Sequence, residues 1–228
     1  MLKFLKFFFS FNFSLCIFSS CAQKTATIDK MFYEVKGPIK TKTLYIKNGD
    51  KMGREVYHFN PKGELQKIEH FNCYGPNDEV SMATITNFDR QEDQTRYYNQ
   101  TEIDTKNLVD SYFILLINRN TIQFFFENTE KTIQSNRKIK YNEDNQSVKS
   151  ISKGVFFKDS NYSKREYFYS SDKALDYVVT KNYVSNTVEK VWIKNAKIDQ
   201  HGNLTYAQYQ DEDGKIVYTL VCEYTYYE

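Results

Sequence analysis

A six-residue turn sequence recurs along the chain and constrains the fold more than any other feature. At 60–65, 199–204 and 211–216, an Asx residue is followed by two further residues, Gly, a polar residue and Leu or Ile. An Asx side chain accepts hydrogen bonds from the backbone of its own turn, and Gly adopts the left-handed conformation needed at the fourth position. Such turns join antiparallel strands. The repeat predicts hairpin turns at 60–63, 199–202 and 211–214, with Gly202 and Gly214 left-handed.

Two weaker copies extend the series, a degraded one at 169–175 and a partial one at 141–145. Together these segments resemble the YD or RHS-type repeats of secreted bacterial proteins, in which an aromatic-Asp-x-x-Gly-x-Leu turn joins two strands. The resemblance departs from the family at Ile198 and Gln210, where the family has Tyr. Large RHS proteins form shells around toxins, and this chain is far too short for that. The resemblance therefore implies strand pairing and no particular activity.

The segments between the turns favour β-strands. The chain has 19 Tyr and 18 Phe against 3 Pro and 8 Gly, a composition that suits pleated, half-buried surfaces. Residues after Gly214 alternate with period two, so one face of the last strand carries Ile216, Tyr218, Leu220, Cys222, Tyr224 and Tyr226. The predicted fold class is all-β (mainly β): an antiparallel meander of repeated hairpins, as an open elongated sheet or a partly closed one.

Individual strands follow from the same pattern. They are predicted at 43–47, 54–59, 66–71, 111–117, 121–126, 154–157, 165–169, 177–183 and 187–194, and after Gly214. A helix over 105–117 is the alternative for one of them. Residues 74–78, which include Gly and Pro, are expected to interrupt the sheet.

The N-terminus has the three parts of an export signal. Lys3 and Lys6 precede an apolar run over 7–18, and small residues follow. The run is about half the length needed to cross a bilayer. The expected organisation is a signal peptide over 1–20, an N-terminal tether over 21–42 and a single antiparallel β domain over 43–228.

The end of the signal resembles a bacterial lipobox. Residues 17–21 read Ile-Phe-Ser-Ser-Cys, with Phe18 where the family has Leu. In that family the Cys receives a diacylglycerol and becomes the new N-terminus. The resemblance implies lipidation at Cys21, and cleavage before Gln23 is the alternative. The protein is expected in the bacterial cell envelope, lipid-anchored to a membrane and facing the periplasm or the cell surface, with the membrane as a partner through its N-terminal lipid.

Charge is balanced in the mature chain. Loss of residues 1–20 removes two Lys and no acid, which reduces Lys plus Arg from 31 to 29 against 29 Asp plus Glu. Nucleic-acid binding requires clustered basic charge. The balance therefore argues against nucleic acid as a partner, and likewise against electrostatic adsorption to anionic lipid.

No catalytic or metal site is predicted. General-base chemistry is limited to His58, His70 and His201; the first two flank one hairpin and are expected to share a strand face, and His201 is expected to be solvated in its turn. Cys73 lacks the close ligand spacing of a structural zinc site with either of the first two histidines. No cofactor is expected.

Two further candidate features have structural interpretations. Cys73 and Cys222 are separated by 149 positions and are expected to be buried thiols, with a disulfide as the alternative. Residues 211–214 begin like a calcium loop but lack its Gly at the sixth position and its closing Glu, so a plain turn is predicted.

The leading hypothesis is a non-enzymatic envelope lipoprotein that presents an aromatic-rich β-sheet to an envelope protein partner. The alternative is a β-rich binding protein with a Tyr- and Phe-lined pocket for an apolar or glycan ligand. The direction of the aromatic side chains distinguishes the two: exposed ladders favour a contact surface, and a closed pocket favours a ligand.

Overall fold

The computed structural model describes residues 27–228 except residues 50, 74–79, 129, 131, 157–158 and 172–173. Within these residues a short helix, α1 (Ile28–Phe32), precedes fourteen strands. They are β1 (Ile39–Asn48), β2 (Lys51–Phe59), β3 (Leu65–Cys73), β4 (Val80–Glu92), β5 (Thr95–Glu102), β6 (Leu108–Asn118), β7 (Thr121–Glu127), β8 (Ile133–Tyr141), β9 (Ser147–Phe156), β10 (Asp159–Tyr169), β11 (Leu175–Asn182), β12 (Thr187–Ile198), β13 (Leu204–Gln210) and β14 (Ile216–Tyr226).

The strands close into a barrel. Each pairs antiparallel with its neighbours in sequence, and β1 also pairs with β14. This seam runs from Ile39 opposite Tyr226 to Lys47 opposite Thr219. The predicted antiparallel meander is confirmed, whereas the open or partly closed sheet is wrong. Closure gives both edge strands a partner, which removes two rows of unpaired backbone N–H and C=O groups.

The repeated turns are hairpin turns, as predicted. Asn60 Oδ1 accepts the backbone N–H of Lys62 and of Glu64, both at 3.0 Å, and Asp199 and Asp211 make the same two bonds in their turns. The glycines at the fourth positions are left-handed, with φ of 80°, 81° and 79° at Gly63, Gly202 and Gly214. In the partial copy at 141–145, Asn145 takes this position at φ 59°.

The strand predicted at 111–117 is confirmed, since it lies within β6, and the alternative of a helix over 105–117 is wrong. The structure differs from the sequence prediction in two places. Four strands are missing from the predicted ranges: β4, β5, β8 and β13. Residues 27–42 of the expected tether contain α1 and the start of β1. The interruption predicted at 74–78 lies outside the described residues.

Side chains alternate between the barrel lumen and the outer surface. In β14 the predicted face points inward: Cys222 is buried and lies opposite Leu44, which packs on the main core. That core fills one end of the barrel, where it joins Met31 and Val35 to inward residues of β2, β3 and β5–β8. The opposite end of the lumen is left to polar side chains and solvent.

Candidate binding lumen

Residues 27–38, which we call the plug, lie inside one end of the barrel. Their contacts reach widely separated parts of the barrel wall. The ring of Phe32 stacks on Phe124 of β7 with centroids 5.3 Å apart. The backbone N–H of Lys36 donates to Oδ1 of Asn203, in the turn before β13, at 2.7 Å. A segment that touches both of these walls at once must occupy the lumen between them.

A buried ion pair fixes the plug. Asp29 is fully buried, and its Oδ2 lies 2.9 Å from Nε of Arg96 in β5. The carboxylate also accepts the backbone N–H of Leu65 at 2.7 Å and the hydroxyl of Tyr98. Burial raises the pKa of Asp29 to about 6, although Arg96 acts to lower it. Loss of one partner from such a pair is strongly destabilising, because the other charge is left buried alone.

A second contact holds the C-terminal half of the plug. Glu34 has a positive φ of 51° and accepts a hydrogen bond from the hydroxyl of Ser147, at the start of β9. Nearby, Nδ2 of Asn203 donates to the carbonyl of Lys36 at 3.0 Å and to the hydroxyl of Tyr226 at 2.8 Å. The plug is therefore bonded to the wall on several sides and closes this end.

Beyond the plug the lumen opens to solvent at the other end. A cavity of about 410 Å³ lies there against β1–β5, lined by apolar and polar side chains that include Leu44, Ile46, Glu55, His70, Thr84 and Gln100. Its volume falls within the range of small-molecule pockets. Both ring nitrogens of His70 are engaged, with Nδ1 3.1 Å from Glu55 Oε1 and Nε2 3.0 Å from Thr86 Oγ1.

Across the lumen, β8–β10 form a polar wall that we call the arginine wall: Ser135, Arg137, Ser150, Arg165 and Tyr167. Nη2 of Arg137 donates to the hydroxyl of Tyr167 at 2.8 Å and to Oγ of Ser150 at 3.5 Å. Nε of Arg137 and Oγ of Ser135 are buried without a hydrogen-bond partner. Arg165 lies directly opposite Ser150 and is exposed to the lumen. This wall presents two cations and several hydroxyls, a set that suits carboxylate and hydroxyl groups.

Tyrosines line much of the remaining lumen. Tyr209 and Tyr218 stack with centroids 4.1 Å apart. Burial raises the pKa of Tyr218 to about 12 and that of Tyr209 further. The pKa is raised in the same way for the buried phenols of Tyr57, Tyr98, Tyr112, Tyr141, Tyr169 and Tyr224. These hydroxyls therefore remain protonated at neutral pH and can both donate and accept hydrogen bonds.

The histidines are placed differently from the prediction. His58 and His70 do not share a face: His58 lies outside, with Nε2 3.0 Å from Glu69 Oε2, whereas His70 lines the lumen. His201 is half-buried and packs on the ring of Tyr226 at 4.2 Å. The register explains the error: His58 lies opposite Lys67 and His70 lies opposite Glu55, and this odd offset of three positions places the two side chains on opposite faces.

Cys222 is a buried free thiol, so the alternative of a disulfide with Cys73 is wrong. Burial raises the pKa of this thiol. Asp211 uses Oδ1 to hold its own turn, as the structural interpretation predicted. Among the described residues, no three His, Cys, Asp or Glu side chains are grouped to hold a metal ion.

The outer surface carries a charge asymmetry that net charge does not show. Described outward positions of β8–β12 include nine lysines and one acid, Glu166. We call these lysines, together with the aromatic residues between them, the lysine–aromatic face: Lys138, Lys140, Lys149, Lys153, Tyr162, Lys164, Phe168, Tyr177, Lys181, Lys190, Trp192, Lys194 and Lys197. The signal was present in the sequence as lysines at period two, for instance at 138 and 140.

The lipidation site predicted at Cys21 and the alternative cleavage before Gln23 lie outside the described residues. Within the described part of the chain, no helix has the length and apolar character to cross a membrane.

No protein-family model matches the chain, and no curated protein matches it. Among solved structures it is similar to a porin-like protein from Bacteroides uniformis, with a TM-score of 0.40 and 11% identity over 84% of this chain and 98% of the other. It is also similar to a porin-like protein from Bacteroides vulgatus, with a TM-score of 0.32 and 12% identity over 80% and 87% of the two chains. Likeness at this level carries no conclusion about function.

Proposed function

We propose that this chain is an exported envelope lipoprotein whose barrel binds an acidic, hydroxyl-rich small ligand, such as a uronic-acid oligosaccharide, without chemical turnover. The arginine wall carries the proposal. Arg137 and Arg165 face a solvent-accessible lumen beside hydroxyls of serine and tyrosine, which are the groups that recognise carboxylates and sugar hydroxyls. Of the two hypotheses from sequence, the closed barrel with its inward-pointing tyrosines favours the ligand-binding one. The polar wall of the lumen favours a glycan over an apolar ligand.

Binding rather than base catalysis is supported by His70. This imidazole lines the open cavity, yet one nitrogen faces the carboxylate of Glu55 and the other the hydroxyl of Thr86. Hydrogen bonds from His70 and Tyr57 lower the pKa of Glu55 although burial acts to raise it, so the acid stays ionised. Because both of its ring nitrogens already have hydrogen-bond partners, His70 is poorly placed to accept a proton from a substrate.

Envelope anchoring is proposed from the sequence at 17–21. Mass spectrometry of the exported protein should show a diacylglycerol-modified Cys21 at its N-terminus, and Cys21→Ser should move the protein from the membrane fraction to the soluble fraction. An unmodified N-terminus at Gln23 would contradict the anchor and leave the lumen proposal standing.

The lumen proposal is tested by calorimetric titration of the chain from residue 22 with an oligogalacturonate and with its methyl-esterified form. Binding of the acidic form should be lost on Arg137→Gln or Arg165→Gln. Lys138→Gln is the matched control, because Lys138 neighbours Arg137 on the same strand and points outward. Equal binding by all variants, or equal binding of the esterified form, would exclude the arginine wall as the site.

A further inference from the structure

We propose that the lysine–aromatic face docks the barrel on a membrane surface containing anionic lipid. The inference goes beyond the lumen and depends on neither the ligand nor the lipid anchor. It rests on the sorting of charge by the fold: the outward positions of β8–β12 carry nine lysines and one glutamate, in a chain with 31 Lys plus Arg and 29 Asp plus Glu.

Two pairs of lysines oppose each other across neighbouring strands. Lys140 lies directly opposite Lys149, and Lys164 directly opposite Lys181. Like charges in such positions destabilise a sheet, because the two side chains are adjacent on the same face. Glu166, 2.7 Å from Lys164, offsets only part of this repulsion. An anionic surface would neutralise both pairs at once, whereas solvent alone leaves the repulsion in place.

Aromatic rings hold the lysine ammonium groups over the sheet. Tyr177 stacks on Phe168 at 4.4 Å and on Trp192 at 4.9 Å. The Nζ of Lys190 lies 4.1 Å from the Tyr177 ring centre and 3.8 Å from that of Trp192, and Lys194 lies 4.9 Å from Trp192. These cation–π contacts pre-order the ammonium groups against the strand surface.

Apolar side chains are exposed among the charges. Tyr162 and Phe168 are about two-fifths exposed, and Val188, opposite Lys181, is 65% exposed. Binding of a soluble polyanion would require only the lysines and would give no role to these exposed apolar side chains. A membrane interface accommodates both groups, since aromatic rings lie at headgroup depth while lysines meet the anionic phosphates. Lysines in the middle of strands are unfavourable in the hydrocarbon core of a bilayer, so this face fits the surface layer.

The dimensions also suit a surface contact. Five adjacent strands spaced about 4.8 Å apart give a face roughly 19 Å wide. Lysines that oppose each other on neighbouring strands lie within one Debye length at physiological salt, so their attraction to one surface is cumulative and sensitive to salt.

Trp192 provides the test, because it is the one tryptophan of the sequence and lies on this face. The unlipidated chain from residue 22 is mixed with phosphatidylcholine vesicles that do or do not contain phosphatidylglycerol. Trp192 fluorescence should shift to the blue only with phosphatidylglycerol, and brominated acyl chains should quench it. Raising the salt concentration should release the protein.

Four substitutions test whether vesicle binding depends on the lysines of this face or on any exposed lysines of the chain. Lys140→Gln, Lys149→Gln, Lys164→Gln and Lys181→Gln together should lower vesicle binding at least tenfold and leave the melting temperature unchanged or higher, because two repulsive pairs are removed. The control changes four exposed lysines elsewhere to Gln: Lys47, Lys62, Lys106 and Lys215. Equal loss in the control, or wild-type binding by the first variant, would overturn the proposal. Binding to dextran sulfate without vesicle binding or lipid quenching would also overturn it in favour of a soluble polyanion.

Discussion

Gly154 of β9 lies where the backbone of β8 approaches too closely for a side chain. A Cβ atom at this position would lie 2.3 Å from the backbone oxygen of Gln134 and 2.4 Å from Cα of Ser135. Its φ of 127° is also one that other residues rarely adopt. Gly154→Ala should therefore lower the free energy of unfolding by more than about 2 kcal/mol, measured by urea denaturation.

Gly53 is the matched control for this prediction. It is also a strand glycine of the barrel wall, but nothing lies within 4 Å of a Cβ built there. Gly53→Ala should be neutral or should stabilise by up to about 1 kcal/mol, because it restricts the unfolded chain without a clash. Similar losses of unfolding free energy in the two variants would show that the short contacts at Gly154 are not the cause of the destabilisation.

Asp29 gives the stability of the barrel a dependence on pH. Burial raises its pKa in the folded state to about 6, from an ordinary value of 3.8. Between these values the folded chain holds a proton that the unfolded chain has released, so stability falls as the pH rises through this window and is fully present below it. The free energy of unfolding falls by at most about 3 kcal/mol across this pH window.

Asp29→Asn isolates this contribution, since Asn does not titrate. The difference in unfolding free energy, wild type minus variant, should decrease from pH 4 to pH 6.5. A difference that increases over the same interval would mean that Arg96 outweighs burial and holds the pKa of the carboxyl below its ordinary value.

At the level of elements, the turns and the faces of the last strand could be predicted from sequence. Asn60, Asp199 and Asp211 act within their own turns, so the local pattern is sufficient. Strand β5 was missed because its inward face carries the charged Arg96, whose burial depends on Asp29, a residue distant in sequence. Strand β8 was missed because polar residues stand on both of its faces: Arg137 lines the lumen and its neighbour Lys138 points outward. Alternation of apolar and polar residues disappears when solvent reaches both sides of a strand.

The plug was missed for a different reason. Residues 27–38 form only a five-residue helix, and their place inside the barrel depends on Arg96, Asn203 and Ser147, which are distant in sequence. No local pattern can indicate an ion pair between residues 29 and 96. The arginine wall could not be predicted either, because Arg137 and Arg165 converge only through the pairing of β8, β9 and β10.

Removal of the plug should weaken the barrel without changing its strands. A chain that begins at Pro38 loses the buried side chains of Met31 and Val35 and leaves Arg96 without Asp29. The free energy of unfolding should fall by at least about 4 kcal/mol relative to a chain that begins at residue 22, and the open end should bind an apolar dye. Equal stability of the two chains would mean that the plug contributes little to the fold.

At the scale of the whole molecule, the seam between β1 and β14 determines whether the sheet is closed. Without β14, both β1 and β13 become edges with unpaired backbone groups. A chain that ends at Gln210 should therefore form soluble aggregates in gel filtration at concentrations where the full chain is monodisperse. If the shortened chain elutes as a compact monomer, the barrel tolerates an open edge, and the seam is not required to keep the protein monomeric.

The seam between β1 and β14 also has a consequence for how the chain folds. Its partners, such as Ile39 and Tyr226, stand at the two ends of the domain, so the last pairing formed joins the most distant segments. Loop closure over such a separation is slow. A nascent chain crossing a membrane N-terminus first would present thirteen strands before the fourteenth arrives. During that interval β1 would be an exposed template for pairing with a neighbouring copy of the chain.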